Sequence, residues 1–216
     1  GAIVVVDNSF ATPINKQPLA LGADLVVYSA TKYLNGHSDV MGGVVVGRKA
    51  LVDRIFHYRE ITGATLHPQS AYMILRGMKT LELRIQRHNE NGLRVARYLA
   101  SHPKVEQVFY PGLETHLNHA IAKKQMRGFG GMLSFSLKGG FEAVVKVLEA
   151  LKYAHKAASL GSVGTLVGPP KTTSHVELSA EERAAAGIPE SLIRYSAGIE
   201  NGDDLIADLE QALAKA

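Results

Sequence analysis

The sequence predicts a mixed α/β chain, and three observations carry that reading. Short apolar runs at 3–6, 25–28 and 42–47 have the length and composition of buried strands. A helical stripe extends from Pro68 to about Ser101. Beyond it, alternating strands and amphipathic helices follow one another to the C-terminus.

Taken in order, Ile3-Val4-Val5-Val6 is the first strand, ending on Asp7. A loop with Pro13 and Pro18 leads to Leu19-Ala20-Leu21-Gly22, a short helix closed by glycine. Leu25–Tyr28 is a second strand and Gly42–Gly47 a third, and residues 49–62 are helical. Gly77 and Gly92 interrupt the long stripe, which fits either one bent helix or two abutting ones. His102-Pro103 breaks it, and the domain boundary is expected near residue 100, giving domains 1–100 and 101–216. In the second domain, 105–110 alternates like a strand with one exposed face, and 115–127 is helical. Met132–Leu137 is a strand and Phe141–Leu151 an amphipathic helix. A glycine- and proline-rich loop at 159–170 precedes a capping box at Ser179–Glu182, a strand at Leu192–Ser196 and a terminal helix at 203–215.

Composition narrows the function classes. With 216 residues, 46% hydrophobic and 20% charged, the chain has enough material for a sizeable core. No apolar run approaches a membrane span, and no signal peptide opens the sequence. The absence of cysteine excludes a disulfide framework and thiolate metal sites, and fits a cytoplasmic setting. A net charge of +4 is mild, and the basic run Lys123–Arg127 lacks an aromatic ladder, so it reads as a solvated helix face and not a nucleic-acid patch. His116 and His119 have helical ligand spacing but no third ligand nearby, so no metal site is assigned. Gly1-Ala2 leads directly into a strand of buried type, which needs neighbours on both sides. An N-terminal part of a larger protein is therefore expected to be missing.

The most informative pairing is Lys32 with Asp7. A hydrated ammonium just after a buried strand must be paired, desolvated for use as an amine, or covalently bound. A carboxylate ending the neighbouring strand is the partner that a protonated pyridine nitrogen requires. Together they suggest a pyridoxal 5'-phosphate site, with Lys32 as the Schiff-base lysine and Asp7 as the pyridinium partner. Taken singly, each has a plainer reading: a surface lysine, and a strand-end turn or helix cap. Ser29 and Thr31 flank the lysine with hydroxyls suited to phosphate oxygens. Arg194 alternates with apolar residues on its strand, where its planar fork suits either a substrate carboxylate or an ion pair with Glu200. The loop Ser159–Gly164 offers backbone donors near a ligand.

Several segments in the same order resemble the trans-sulfuration (Cys/Met metabolism) family of pyridoxal-phosphate enzymes. They are Asp7–Pro13, Ser29–Tyr33, Gly36–Gly43, Leu75–Leu81 with Arg84, His88 and Asn91, Tyr110–Leu113, Gly128–Met132, Ser159–Gly161 and Arg194–Glu200. The resemblance covers essentially the whole chain. It implies fold type I of these enzymes, comprising the second half of the large domain and the small C-terminal domain. It also implies that the absent N-terminal half supplies a phosphate turn, a ring-stacking tyrosine and a tyrosine–arginine pair given across a dimer. The site residues it implies are Lys32 as catalytic anchor and base, Asp7, Ser29 and Thr31 for the cofactor, and Ser159 and Arg194 for the substrate α-carboxylate. The expected activity is α,γ-elimination on a sulfur amino acid by a homotetramer, a dimer of dimers. The stretch Tyr58–Ala64 is more similar to the family's methionine γ-lyases than to its synthases. The alternatives are γ-replacement on an activated homoserine ester and, from another class, an inactive fragment or scaffold. Gly164 stands where many γ-acting members have Glu, which leaves the substrate unassigned.

Overall fold

The computed structural model describes residues 1–216 and resolves two units, Gly1–Ile85 and Gln86–Ala216. The division falls inside a helix, about 15 residues before the expected boundary. The reason is packing: Val95, Ala96 and Leu99 from the second half of that helix belong to the core of the second unit.

In the first unit, β1 (Val5–Asp7), β2 (Leu25–Ser29) and β3 (Gly43–Gly47) form a sheet in that order. β1 runs parallel to β2 with Asp7 opposite Val27, and β3 runs antiparallel to β2 with Val45 opposite Val27. The buried strand expected at 3–6 is corrected: Ile3, Val4 and Val5 are exposed, the strand begins only at Val5, and its one neighbour in the sheet is β2. Between β1 and β2 lie the short α1 (Thr12–Asn15) and a 3-10 turn at Pro18–Leu21, closed as expected by Gly22 in the left-handed region. Next comes α2 (Lys49–Thr62), none of whose residues is buried. The long stripe resolves into two helices, α3 (Pro68–Met78) and α4 (Leu81–Ser101).

Neither glycine of the stripe breaks it. Gly77 lies within α3, where an added Cβ would overlap the Asn35 carbonyl, and Gly92 lies within α4 against the Gly130 carbonyl. Both positions permit close backbone approach, at some cost in helix propensity. An apolar cavity of about 710 Å³ opens in this unit, lined among others by Pro18, Val26, Val44, Leu66, Ile74 and Leu75.

The second unit is built on a five-stranded sheet. Its strands are β4 (Val105–Phe109), β5 (Met132–Leu137), β6 (His155–Lys156), β7 (Leu166–Gly168) and β8 (Leu192–Ser196), in the order β4-β5-β8-β7-β6. Three of the four pairings are antiparallel, and β6 lies parallel to β7. The stretch expected as a loop at 159–170 thus contains a strand, whose three residues are all buried. The helix expected at 115–127 shortens to α5 (His119–Gln125). α6 (Gly140–Ala150) and α8 (Gly202–Leu213) bury Val144, Val147, Leu205, Leu209 and Leu213 into one core with Phe135, Ile193 and Tyr195. The capping box is present: Ser179 N donates to Glu182 Oε2 (2.7 Å) and Glu182 N to Ser179 Oγ (3.2 Å), starting α7 (Ala180–Ala185).

Candidate active site

Asp7 and Lys32 follow from one topological fact: β1 and β2 are parallel, so both strands end at the same edge of the sheet. In sheets with parallel strands, ligands sit outside the carboxyl ends. Asp7 is the last residue of β1, and its Oδ1 accepts from Ser9 N (2.9 Å). The two strand ends are tied together, with Asn8 N donating to Val27 O (2.9 Å) and Ser29 N to Ser9 Oγ (2.6 Å).

After β2 the chain enters a wide π-type turn over Ala30–Leu34, broken at Lys32 by a backbone at φ −87°, ψ −131°. This non-helical residue amid helical neighbours directs the lysine away from the regular helical path. Lys32 is half-buried and is followed by two buried residues, Tyr33 and Leu34. Thr31 latches the turn, its Oγ1 accepting from Gly42 N (3.0 Å) and donating to Gly42 O (3.4 Å). The hydroxyl expected to face phosphate is therefore shared with the loop before β3.

Behind the lysine sits a residue whose role the sequence alone did not disclose. The Arg84 side chain, 4% exposed, donates through Nη1 to Tyr33 O (2.8 Å). Its Nη2 donates to Leu34 O (3.3 Å) and Gly77 O (2.8 Å), and its Nε to Thr80 Oγ1 (3.1 Å). It makes no ion pair, and burial lowers its pKa from the ordinary guanidinium value. Three backbone carbonyls and one hydroxyl thus accept from the guanidinium, two of the carbonyls belonging to the segment that bears Lys32. Its place on α4, three residues after the buried Leu81, is the available signal, but only the fold shows which carbonyls it meets.

In the second unit, Arg194 lies on β8 and is half-buried. Its Nη2 donates to the carbonyls of Ala157 (3.2 Å), Ala158 (2.7 Å) and Ser159 (2.9 Å). Its Nε is buried with no hydrogen-bond partner, and burial lowers the pKa of the group. The Glu200 ion pair left open by the sequence is not formed. Glu200 instead accepts from Thr165 N (2.6 Å) and Thr165 Oγ1 (2.9 Å). A half-buried guanidinium with no carboxylate partner and an unsatisfied buried donor is chemically suited to receive an anion. The structure thus gathers Asp7, Ser29, Thr31 and Lys32 at one sheet edge, and Ser159 with Arg194 in the other unit. His116 and His119 are engaged locally, through Asn118 N (3.2 Å) and Pro111 O (2.8 Å) respectively.

The family model described as Cys/Met metabolism PLP-dependent enzyme matches residues 1–214. The chain is 54% identical over 215 residues to an L-methionine γ-lyase of Fusobacterium nucleatum subsp. polymorphum, covering 99% of this chain and 54% of that protein. It is 49% identical over 213 residues to the chloroplastic cystathionine γ-synthase 1 of Nicotiana tabacum, covering 99% of this chain and 39% of the other. The crystal structure of a cystathionine γ-synthase from Xanthomonas oryzae pv. oryzae in complex with cystathionine is similar with a TM-score of 0.97 and 45% identity, over 100% of this chain and 56% of that one. The chain spans about half the length of the curated relatives it matches.

Proposed function

Because the chain belongs to the Cys/Met metabolism family of PLP-dependent enzymes, we propose that it carries the lysine-bearing part of a lyase that cleaves a sulfur amino acid by α,γ-elimination. The observation that carries the reading is that Asp7 ends β1 and Lys32 stands in the turn directly after β2, its parallel neighbour, so both lie at the same sheet edge. The residues fit the cofactor: an amine at a kinked turn, a carboxylate at the adjoining strand end, and hydroxyls at Ser29 and Thr31; the orphaned Nε donor of Arg194 suits the substrate's carboxylate.

Within this reading each side chain has one task. Lys32 Nζ would hold pyridoxal phosphate covalently and, as a free amine, would move a proton between the substrate's Cα and Cβ. The Asp7 carboxylate keeps a proton on the ring nitrogen, and its own orientation is fixed by Ser9 N. Ser29 and Thr31 would hold the phosphate, with Thr31 also closing the turn onto Gly42. Arg194 takes the α-carboxylate beside Ser159 and so orients the bonds at Cα. Bound there, the cofactor supplies an electron sink for negative charge developing on the substrate. The reading brings with it fold type I, a homotetramer of paired dimers, and completion of the cofactor cradle by the rest of the relatives' length.

Lyase chemistry is favoured over γ-replacement by the higher identity to methionine γ-lyase, 54% against 49% for the synthase. The synthase relatives keep replacement as the second reading. The test is borohydride reduction of the full-length holoenzyme followed by peptide mass mapping, together with product analysis on L-methionine. A reduced pyridoxyl adduct on Lys32, with 2-oxo acid, ammonia and thiol released, supports the lyase. An adduct with product formed only from an activated homoserine ester and a thiol selects replacement. No adduct on Lys32 overturns both, in favour of an inactive scaffold.

A further inference from the structure

The segment from Leu160 to Thr165 is laced to the strand exit at 196–200 by five hydrogen bonds. Gly161 N donates to Ser196 Oγ (2.9 Å) and Ile199 N to Val163 O (2.8 Å). Gly198 N donates to Thr165 Oγ1 (2.9 Å), and Thr165 in turn donates twice to Glu200, through N (2.6 Å) and Oγ1 (2.9 Å). Thr165 and Ser196 are fully buried. Glu200 takes part in no ion pair, so its charge is met only by these donors. A carboxylate accepting a backbone N–H and a hydroxyl makes charge-assisted bonds, the stronger kind. The fit is close, since a Cβ on Gly198 would overlap Glu200 Oε2 and crowd Thr165 N.

The lacing matters for what lies at each end of it. The segment contains Gly161, in the left-handed region, and Gly164, and so loses much conformational freedom when ordered. Immediately before it stand the three carbonyls that converge on Arg194 Nη2. Where the segment sits therefore decides where those carbonyls hold the guanidinium, and which of its donors remain for a ligand. We propose that Glu200 and Thr165 are positioning residues of the carboxylate-binding face: their paired hydrogen bonds fix the Ser159-bearing segment and, through it, the aim of Arg194. This rests on the reading that Arg194 receives the substrate α-carboxylate. Sequestering Glu200 on Thr165 also keeps an acid off Arg194, which would otherwise compete with the substrate.

The test uses Glu200→Gln, Thr165→Val and the conservative Thr165→Ser in the full-length holoenzyme. The expected result is a KM for the amino acid raised about tenfold in the first two, the equivalent of one charge-assisted hydrogen bond. kcat stays within about threefold, Thr165→Ser restores KM, and the preference for the amino acid over its carboxamide falls with KM. A purely structural role would lower the folded fraction without moving that preference. Unchanged KM and preference in both Glu200→Gln and Thr165→Val overturn the proposal. If the wild-type enzyme turns over no sulfur amino acid, the functional reading fails instead. Amide exchange at Gly161–Thr165 and the Arg194 Nε–H resonance then decide the positioning claim: both move in Glu200→Gln if it holds, and neither moves if it does not.

Discussion

Replacing Arg84 by Met tests whether the lysine-bearing turn is held from behind. The substitution keeps an unbranched apolar stem and deletes the guanidinium. Three backbone carbonyls, Tyr33, Leu34 and Gly77, and the Thr80 hydroxyl then lose their donors. A buried polar group left unsatisfied costs about 1–3 kcal/mol. Summed over the carbonyls the loss is several kcal/mol, and recovery of the desolvation that burial imposed on Arg84 offsets part of it. A net destabilisation of about 3–5 kcal/mol is expected, as for other buried charges whose partners are removed. Arg84→Lys should fall between, since one ammonium on a flexible stem cannot span all of these acceptors. Urea unfolding followed by tyrosine fluorescence gives the stability, and the yield of borohydride-reduced adduct on Lys32 gives the local effect. A loss below about 1 kcal/mol with undiminished adduct would refute the claim that Arg84 shapes the turn.

Three further outcomes are expected. Gly77→Ala sets a Cβ against the Asn35 carbonyl, a backbone atom that no rotamer change can move aside, and should cost about 1–3 kcal/mol by thermal unfolding. Gly164→Ala meets only the His155 ring, at 3.6 Å, and has no positive φ to penalise it, so it should raise stability by about 0.4–1 kcal/mol in the same assay. Glu190 bridges Lys171 and Arg183, whose hydrogen bonds lower its carboxyl pKa from the ordinary 4.5. A depressed folded-state pKa means stability that is present above the unfolded value and lost as the pH falls through the folded one. Glu190→Gln should therefore flatten the acid side of the melting-temperature profile below pH 4.5 and leave its slope near neutrality unchanged.

The elements legible in the sequence were those with strong periodicity or chemical punctuation. The capping box at Ser179, the glycine stop at Gly22 and the alternating strand Met132–Leu137 all stand where their local chemistry puts them. β7 was not legible, because three residues, Leu166–Gly168, among prolines and glycines carry too short an alternation to register. The exposure of the 3–6 run was not legible either, since an edge strand and a central strand share the same apolar composition. Gly77 and Gly92 looked like interruptions because propensity counts glycine as a helix breaker, whereas packing uses it for close approach. At the site, Asp7 and Lys32 stood out as residues in unexpected company. Arg84, Thr165 and Glu200 act through backbone atoms distant in sequence, and nothing local marks such partners. Glu200 lies near Arg194 in sequence, yet its partner in the fold is Thr165.

The open apolar cavity and bare strand of the first unit have a practical corollary. Environment-sensitive dyes of the kind used for melting curves report exposed hydrophobic surface, and the folded 216-residue chain presents exposed Ile3, Val4, Val5 and Phe10 as well as a 710 Å³ apolar recess. Such a dye will glow at the lowest temperature, and its baseline will record this surface and not a loss of structure. The chain has eight tyrosines and no tryptophan, so calorimetry or tyrosine emission is the sounder thermometer for this chain and its variants.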